Sequence, residues 1–367
     1  MSTTADSYLP HYEKLQGEVS APPSITGFPG MGVLMTWPDQ GGRLHLAGQL
    51  KYGPVTEVDL PEAWRTLVSP SVLVAPQLET VFLAWTNERN QVCIASSKDG
   101  WRSTTVVAES ASIGGPSLCH AGSRLFLAWT ALTGRVSIAV LADNSTDWHR
   151  IETDVELNSR PSLSNDGDDL YIVGGGSADD QDGASFRVFL SGNMAQTFDE
   201  QKVMPFVYTS GPASLIKKNG YYHLVWATLE GELLYAKTKT LTEFEPTGYF
   251  IRTEGGSPGL ADLGDRLAIA WATDIGSDGS PVASLGYVQG DPGVDPRLAA
   301  RLVEASSIEA PNPCGPAQVY DPVTMQCELR LGCYGNCVID SFSNVEKTPL
   351  FNPLTYALCV ARCLARS

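Results

Sequence analysis

The stretch RLFLAWTALTGRVSIAV, residues 124–140, decides the fold. Leu125, Leu127 and Trp129 fall on one face of an extended chain, and Phe126, Ala128 and Thr130 fall on the other. That period of two belongs to strands. A Gly-containing turn interrupts the pattern, so the stretch reads as two apolar strands of a hairpin.

The phrase recurs along the chain. VLMTW ends at Trp37, VFLAW at Trp85 and LFLAW at Trp129; YIVGG surrounds Gly174, HLVWA carries Trp226 and AIAWA carries Trp271. A second anchor lies upstream of each copy, at Pro23, Pro70, Pro116, Pro161, Pro212 and Pro258. Successive prolines are 47, 46, 45, 51 and 46 residues apart, and each precedes its Trp, or Gly174, by 13 to 15. Within the third unit PSLCHAG, RLFLAWT, RVSIAVL and HRIETDV read as four strands. Four strands repeated about every 45 residues is the period of a propeller blade, which needs neighbours to bury both of its faces. The chain is therefore expected to be all-β, with a six-bladed β-propeller over residues 1–294 and blades starting near 22, 69, 115, 160, 211 and 257.

Unit six lacks a fourth strand, since GDPGVDP follows its third. YEKLQGEVSAPPSI at 12–25 aligns with RIETDVELNSRPSL at 150–163, so an N-terminal strand is expected to complete the last blade and remove an open edge. The repeated tryptophans read as packing between blades, and the prolines as fixing the start of each innermost strand beside the central channel.

Between third and fourth strands, SSKDGWRS (96–103), LADNSTDW (141–148) and LSGNMAQTF (190–198) resemble degraded copies of the Asp-box, Ser-x-Asp-x-Gly-x-Thr-Trp. On these turns residues 12–290 resemble the sialidase-like Asp-box propellers. The resemblance implies that Asp99 and Asp143 cap hairpins while Trp148 and Phe198 plug their blades, with Asn193 standing where Asp is expected. It also implies that these turns lie away from any active site. A sialidase would add three arginines, one in a Phe-Arg-Ile-Pro motif of the first blade, with a Tyr–Glu nucleophile pair and an Asp acid. The motif is absent: the first strand of the first unit, PSITGFPG, has no arginine, and Arg43 reads as part of its third strand. The five histidines show no metal-ligand spacing, and no Gly-x-Ser-x-Gly elbow occurs. The repeats of fungal fucose lectins and tectonins are not matched either.

The function expected is therefore non-enzymatic, lectin-like recognition of a glycan or glycoprotein. A sialidase-like glycan-cleaving hydrolase is the alternative, and an interaction scaffold or toxin component the third. Candidate ligand residues are Arg160, beside Pro161 at the channel, and Arg252, with Trp101, Trp148 and Tyr221 as aromatics outside the Trp core. No cofactor is expected for the propeller unless calcium is held by Asp179, Asp180 and Asp182 in SADDQDGAS, matched in place by Asp274 and Asp278 in TDIGSDGSP; as short Asp-Gly runs both stretches also read as simple turns. The chain holds 25 basic and 41 acidic residues, a formal charge of −16. From Arg297 onward the signs balance, so the excess acid lies in the propeller, where it repels nucleic acid. No run is apolar enough for a transmembrane helix.

Residues 295–367 differ in kind. Asp295 and Pro296 open a short helix, RLAARLVEASS, and six of the eight cysteines follow a linker: Cys314, Cys327, Cys333, Cys337, Cys359 and Cys363. An even, dense set in so short a segment reads as a disulfide-rich helical module. Cys333/Cys337 and Cys359/Cys363 are i, i+4 pairs, and the second lies on a helix capped by Asn352 and Pro353. Antiparallel helices would join Cys333 to Cys363 and Cys337 to Cys359, leaving Cys314 with Cys327, one of fifteen possible pairings; a four-thiolate zinc site is the alternative. The arrangement resembles α-hairpinin-like scaffolds. Cys93 and Cys119, in apolar strands, read as buried free thiols. Six oxidised cysteines point to an extracellular or secreted protein, although MSTTADSYLPHYEK shows no signal peptide. The oligomeric state has no signature.

Overall fold

The computed structural model describes residues 12–28, 32–50, 55–142, 147–175, 186–201, 209, 211–242, 247–253, 257–264, 266–273, 281–288, 319–321 and 326–328. Six four-stranded antiparallel sheets form a propeller. In blade three the strands are Ser117–Ala121, Arg124–Thr130, Arg135–Ala142 and His149–Glu156, hydrogen-bonded in that order. They coincide with the four phrases of the repeat. Blade six borrows its outer strand from the N-terminus: Tyr12–Glu18 pairs antiparallel with Val282–Val288, placing Tyr12 opposite Gly286. No helix among the described residues is long and apolar enough to cross a membrane.

The core is divided into six clusters, each drawing residues from two adjacent blades. Five contain the recurring tryptophan, Trp37, Trp85, Trp129, Trp226 or Trp271, each packed against the preceding blade. Stacking blades on an indole buries a large apolar surface with few rotatable bonds, and this repeated contact holds the ring together. The interface between blades three and four has Leu157 instead, 3% exposed. A Cβ on Gly174 would lie 2.4 Å from Leu157 Cδ1, so the leucine fills the volume that an aromatic takes elsewhere. Four residues before Pro70 and Pro116, the places equivalent to Leu157 hold the small Thr66 and Ser112. One large residue has moved from the second strand of a blade to the end of its neighbour.

Two turns between third and fourth strands share a bond from the amide four residues on to an Asp or Asn side chain, while the serine two residues earlier is used differently in each. Ser97 Oγ accepts from the Val81 amide at 2.9 Å, and Asp99 accepts from the amides of Arg102 (3.2 Å) and Ser103 (2.9 Å) and from the Ser103 hydroxyl. Those bonds, the Ser103 hydroxyl foremost, hold the Asp99 carboxyl below the usual range. In blade four Ser191 Oγ accepts from the Ala195 amide at 3.0 Å, and Asn193 Oδ1 accepts from the Thr197 amide at 2.9 Å. Trp101 (φ 65°) and Ala195 (φ 69°) occupy the same left-handed step of these turns. Nothing in the sequence marks Trp64, from the connection between blades one and two, yet it stacks on Trp85 at 4.7 Å and meets Trp101 edge-on at 6.4 Å.

Beyond the propeller the described residues are two short strands, Val319–Asp321 and Gln326–Glu328, with Tyr320 opposite Cys327. This hairpin is a feature that the helical reading of the tail omits. The helices expected after Asp295 and Asn352, and Cys314, Cys333, Cys337, Cys359 and Cys363, lie outside the described residues. Cys93 and Cys119 are buried free thiols. Cys119 donates to Asn165 Oδ1 of blade four at 3.1 Å, and burial pushes its thiol up to about 12.

Candidate functional site at the channel mouth

All six innermost strands begin in one register. Ser24, Ser71, Ser117, Ser162 and Ser214 stand opposite the residue just before Trp37, Trp85, Trp129, Gly174 and Trp226, and Gly259 holds that place before Trp271. These residues line a cavity of about 80 Å³ where the six strands converge, room for a few waters or one small polar group. The serines also join neighbouring blades. Ser71 Oγ accepts from the Leu118 amide at 3.0 Å, Ser117 Oγ accepts from the Leu163 amide at 2.9 Å, and Ser214 Oγ donates to the Pro258 carbonyl at 2.6 Å. In the repeated Pro-Ser anchor the proline stands out as backbone chemistry, but the serine beside it faces the cavity.

Two residues before that ring the positions read Pro22, Ser69, Gly115, Arg160, Pro212 and Ser257. Arg160 breaks the series, and its side chain reaches across the mouth from blade four. Nε donates to the Pro116 carbonyl at 3.1 Å, and Nη2 to the Pro70 carbonyl at 2.9 Å. Burial pushes the guanidinium down to about 10, so it is still cationic at neutral pH. A Cβ on Gly115 would stand 1.9 Å from the Ser69 carbonyl oxygen and 3.5 Å from Arg160 Cδ, so a glycine is needed where these blades converge. The backbone before Arg160 is tied on two sides: Thr130 Oγ1 donates to the Ser159 carbonyl at 2.7 Å, and the Gly175 amide donates to Ser159 Oγ at 2.8 Å.

Strand direction sorts the other candidates. Arg252 ends the fourth strand of blade five, Thr247–Arg252, on the same face as the channel mouth; its side chain lies outside the described residues. Trp101 and Trp148 belong to turns on the opposite face, and Tyr221 opens the second strand of blade five from that side. Trp101 is 5% exposed and spends its ring on Trp64. Trp148 is half-buried against the core shared by blades two and three. Tyr221 is half-buried beneath two ammonium groups, Lys237 Nζ at 4.5 Å and Lys239 Nζ at 5.4 Å from its ring centre. Arg43 lies just before the third strand of blade one rather than inside it, bridged to Arg65. The calcium candidates Asp179, Asp180, Asp182, Asp274 and Asp278 lie outside the described residues. Among the described residues no three His, Cys, Asp or Glu side chains form a metal-binding group.

No family model and no curated protein matches the chain. Solved structures match its architecture. The SapL1 lectin, bound to α-methyl fucoside, superposes with a TM-score of 0.55 at 10% identity, covering 74% of this chain and 97% of that one. The GH93 α-L-arabinofuranosidase of Fusarium graminearum gives 0.53 at 14% identity, covering 76% and 98%. Trypanosoma rangeli sialidase gives 0.53 at 11% identity, covering 81% of this chain and 62% of its own length. The class is thus a six-bladed β-propeller whose architecture is shared by lectins and glycoside hydrolases. At such identities the likeness concerns the fold alone, and function rests on the site.

Proposed function

We propose that the protein is a non-enzymatic, extracellular propeller that recognises a glycan or glycoprotein on the face carrying the channel mouth. The observation that carries this reading is the composition of the mouth: one guanidinium and a ring of serine hydroxyls, with no carboxylate among the described residues lining it. Such a set binds an oxygen-rich ligand. Hydrolysis by either common glycosidase route needs two opposed carboxyl groups, one of them able to deliver a proton. The fold supports the same class of ligand, since lectins and glycosidases both use it. In this reading the turns at Asp99 and Asn193 are degenerate Asp-boxes on the far face, which hold strands together and take no part in binding. The cysteine-rich tail is an appended disulfide-linked module.

A glycan array run beside a panel of chromogenic glycosides tests the proposal. Binding to one or a few glycans without release of chromophore is expected. Turnover of any glycoside would overturn the non-enzymatic assignment, and an empty array would overturn the ligand class.

A further inference from the structure

The geometry points to an oxyanion site, for a carboxylate or a phosphate, centred on Arg160 in the channel mouth. Arg160 is a half-buried cation at the rim of the cavity, and among the described residues no carboxylate lies within ion-pair range of it. Its partners are two neutral carbonyls, bound to Nε and Nη2, and Nη1 has no hydrogen-bond partner among the described residues. A charge that has lost part of its hydration and has no counter-charge is a ready partner for an arriving anion.

The surrounding hydroxyls have the polarity that an anion requires. Ser71 and Ser117 use an oxygen lone pair to accept a backbone amide, so each O–H hydrogen remains available to donate. Ser162 lines the same cavity, and its hydroxyl has no hydrogen-bond partner among the described residues. A guanidinium edge with several hydroxyl donors is a fitting set for a planar or tetrahedral oxyanion, and charge-assisted bonds of this kind are the stronger ones. The cavity of about 80 Å³ suits such a group but not a sugar ring, so it takes a free anion or the acidic substituent of a larger ligand. The assignment does not depend on the glycan reading, because a free anion satisfies it as well.

The test uses the full chain, titrated at constant ionic strength with acetate, inorganic phosphate or glucuronate, with glucose as the neutral control. Melting temperature and the line width of carbon-13-labelled acetate are the readouts. Wild type is expected to show saturable stabilisation by at least one anion and none by glucose. Arg160→Met should weaken binding by at least about tenfold, and Ser162→Ala, which removes no internal bond, by roughly two- to tenfold. If Arg160→Met fails to fold, protection of wild-type Arg160 from phenylglyoxal by acetate, read by peptide mass mapping, replaces it. A flat wild-type titration, or an undiminished response in Arg160→Met, would overturn the site; if the substitution misfolds, absence of protection does the same. Stabilisation by acetate and phosphate alone identifies a free anion, and a stronger response to glucuronate identifies a carboxylate borne on a sugar. Acetate binding beside an empty glycan array would sink the glycan proposal and leave this one standing; glycan binding with no response to any anion would do the reverse.

Discussion

Blades three and four are adjacent copies of one repeat, and two of the differences between them are instructive. Blade three is regular: Trp129 is buried against blade two, and its innermost strand is preceded by Gly115. Blade four replaces the tryptophan by Gly174 and the residue before the proline by Arg160. Both are breaks in a pattern, yet only one leaves chemistry over. The lost indole is answered by Leu157, which closes the interface, so that break is settled within the core. The arginine is not answered by any carboxylate among the described residues. A departure from a repeat therefore points to function only where the fold has not already compensated it.

The comparison can be broken at its strongest contact first. Trp129→Ala is expected to lower stability by about 3–5 kcal/mol in denaturant unfolding, the usual cost of deleting a buried indole. Next, Gly174→Trp should destabilise by about 2–3 kcal/mol through collision with Leu157. Adding Leu157→Ser should recover about half of that loss or more, because it moves the large residue back to the place it has in the other blades. Additive costs in the double variant would show that the two sites do not exchange volume.

Smaller effects sharpen the contrast. Ser159→Ala removes the acceptor of the Gly175 amide and is expected to cost about 1 kcal/mol. The same change should weaken ligand binding severalfold by loosening the backbone before Arg160, whereas an equally destabilising substitution elsewhere in blade four should not. The smallest effect concerns the seam between the two blades. With its thiol pushed up to about 12 by burial, Cys119 carries almost no thiolate at pH 8 and should resist alkylation in the native state. Peptide mapping after iodoacetamide treatment, with and without denaturant, reads this directly, and rapid native labelling at Cys119 would show that the seam opens.

Much of the propeller was legible because a repeat reports its own packing. The period, the four strands of each blade, the tryptophan at the end of the second strand and the N-terminal strand of blade six all stand in the spacing and alternation of the chain. The site was legible only in part. Arg160 stands out beside its proline, but Ser71, Ser117 and Ser162 look like ordinary turn residues until the ring brings them to one mouth. Trp101 looks like an aromatic available to a ligand; its burial depends on Trp64, which lies in an irregular connection with no repeat to flag it. Leu157 reads as one more apolar residue at the end of a strand.

The sequence by itself determined the architecture, because hydrophobic periodicity and repeat length act along the chain and need no knowledge of what touches what. Tertiary structure alone decided which irregularities matter. Whether Gly174 opens a pocket or yields to a leucine, and whether Arg160 meets a carboxylate or faces a cavity, depends on residues that are distant in sequence and brought together only when the ring closes.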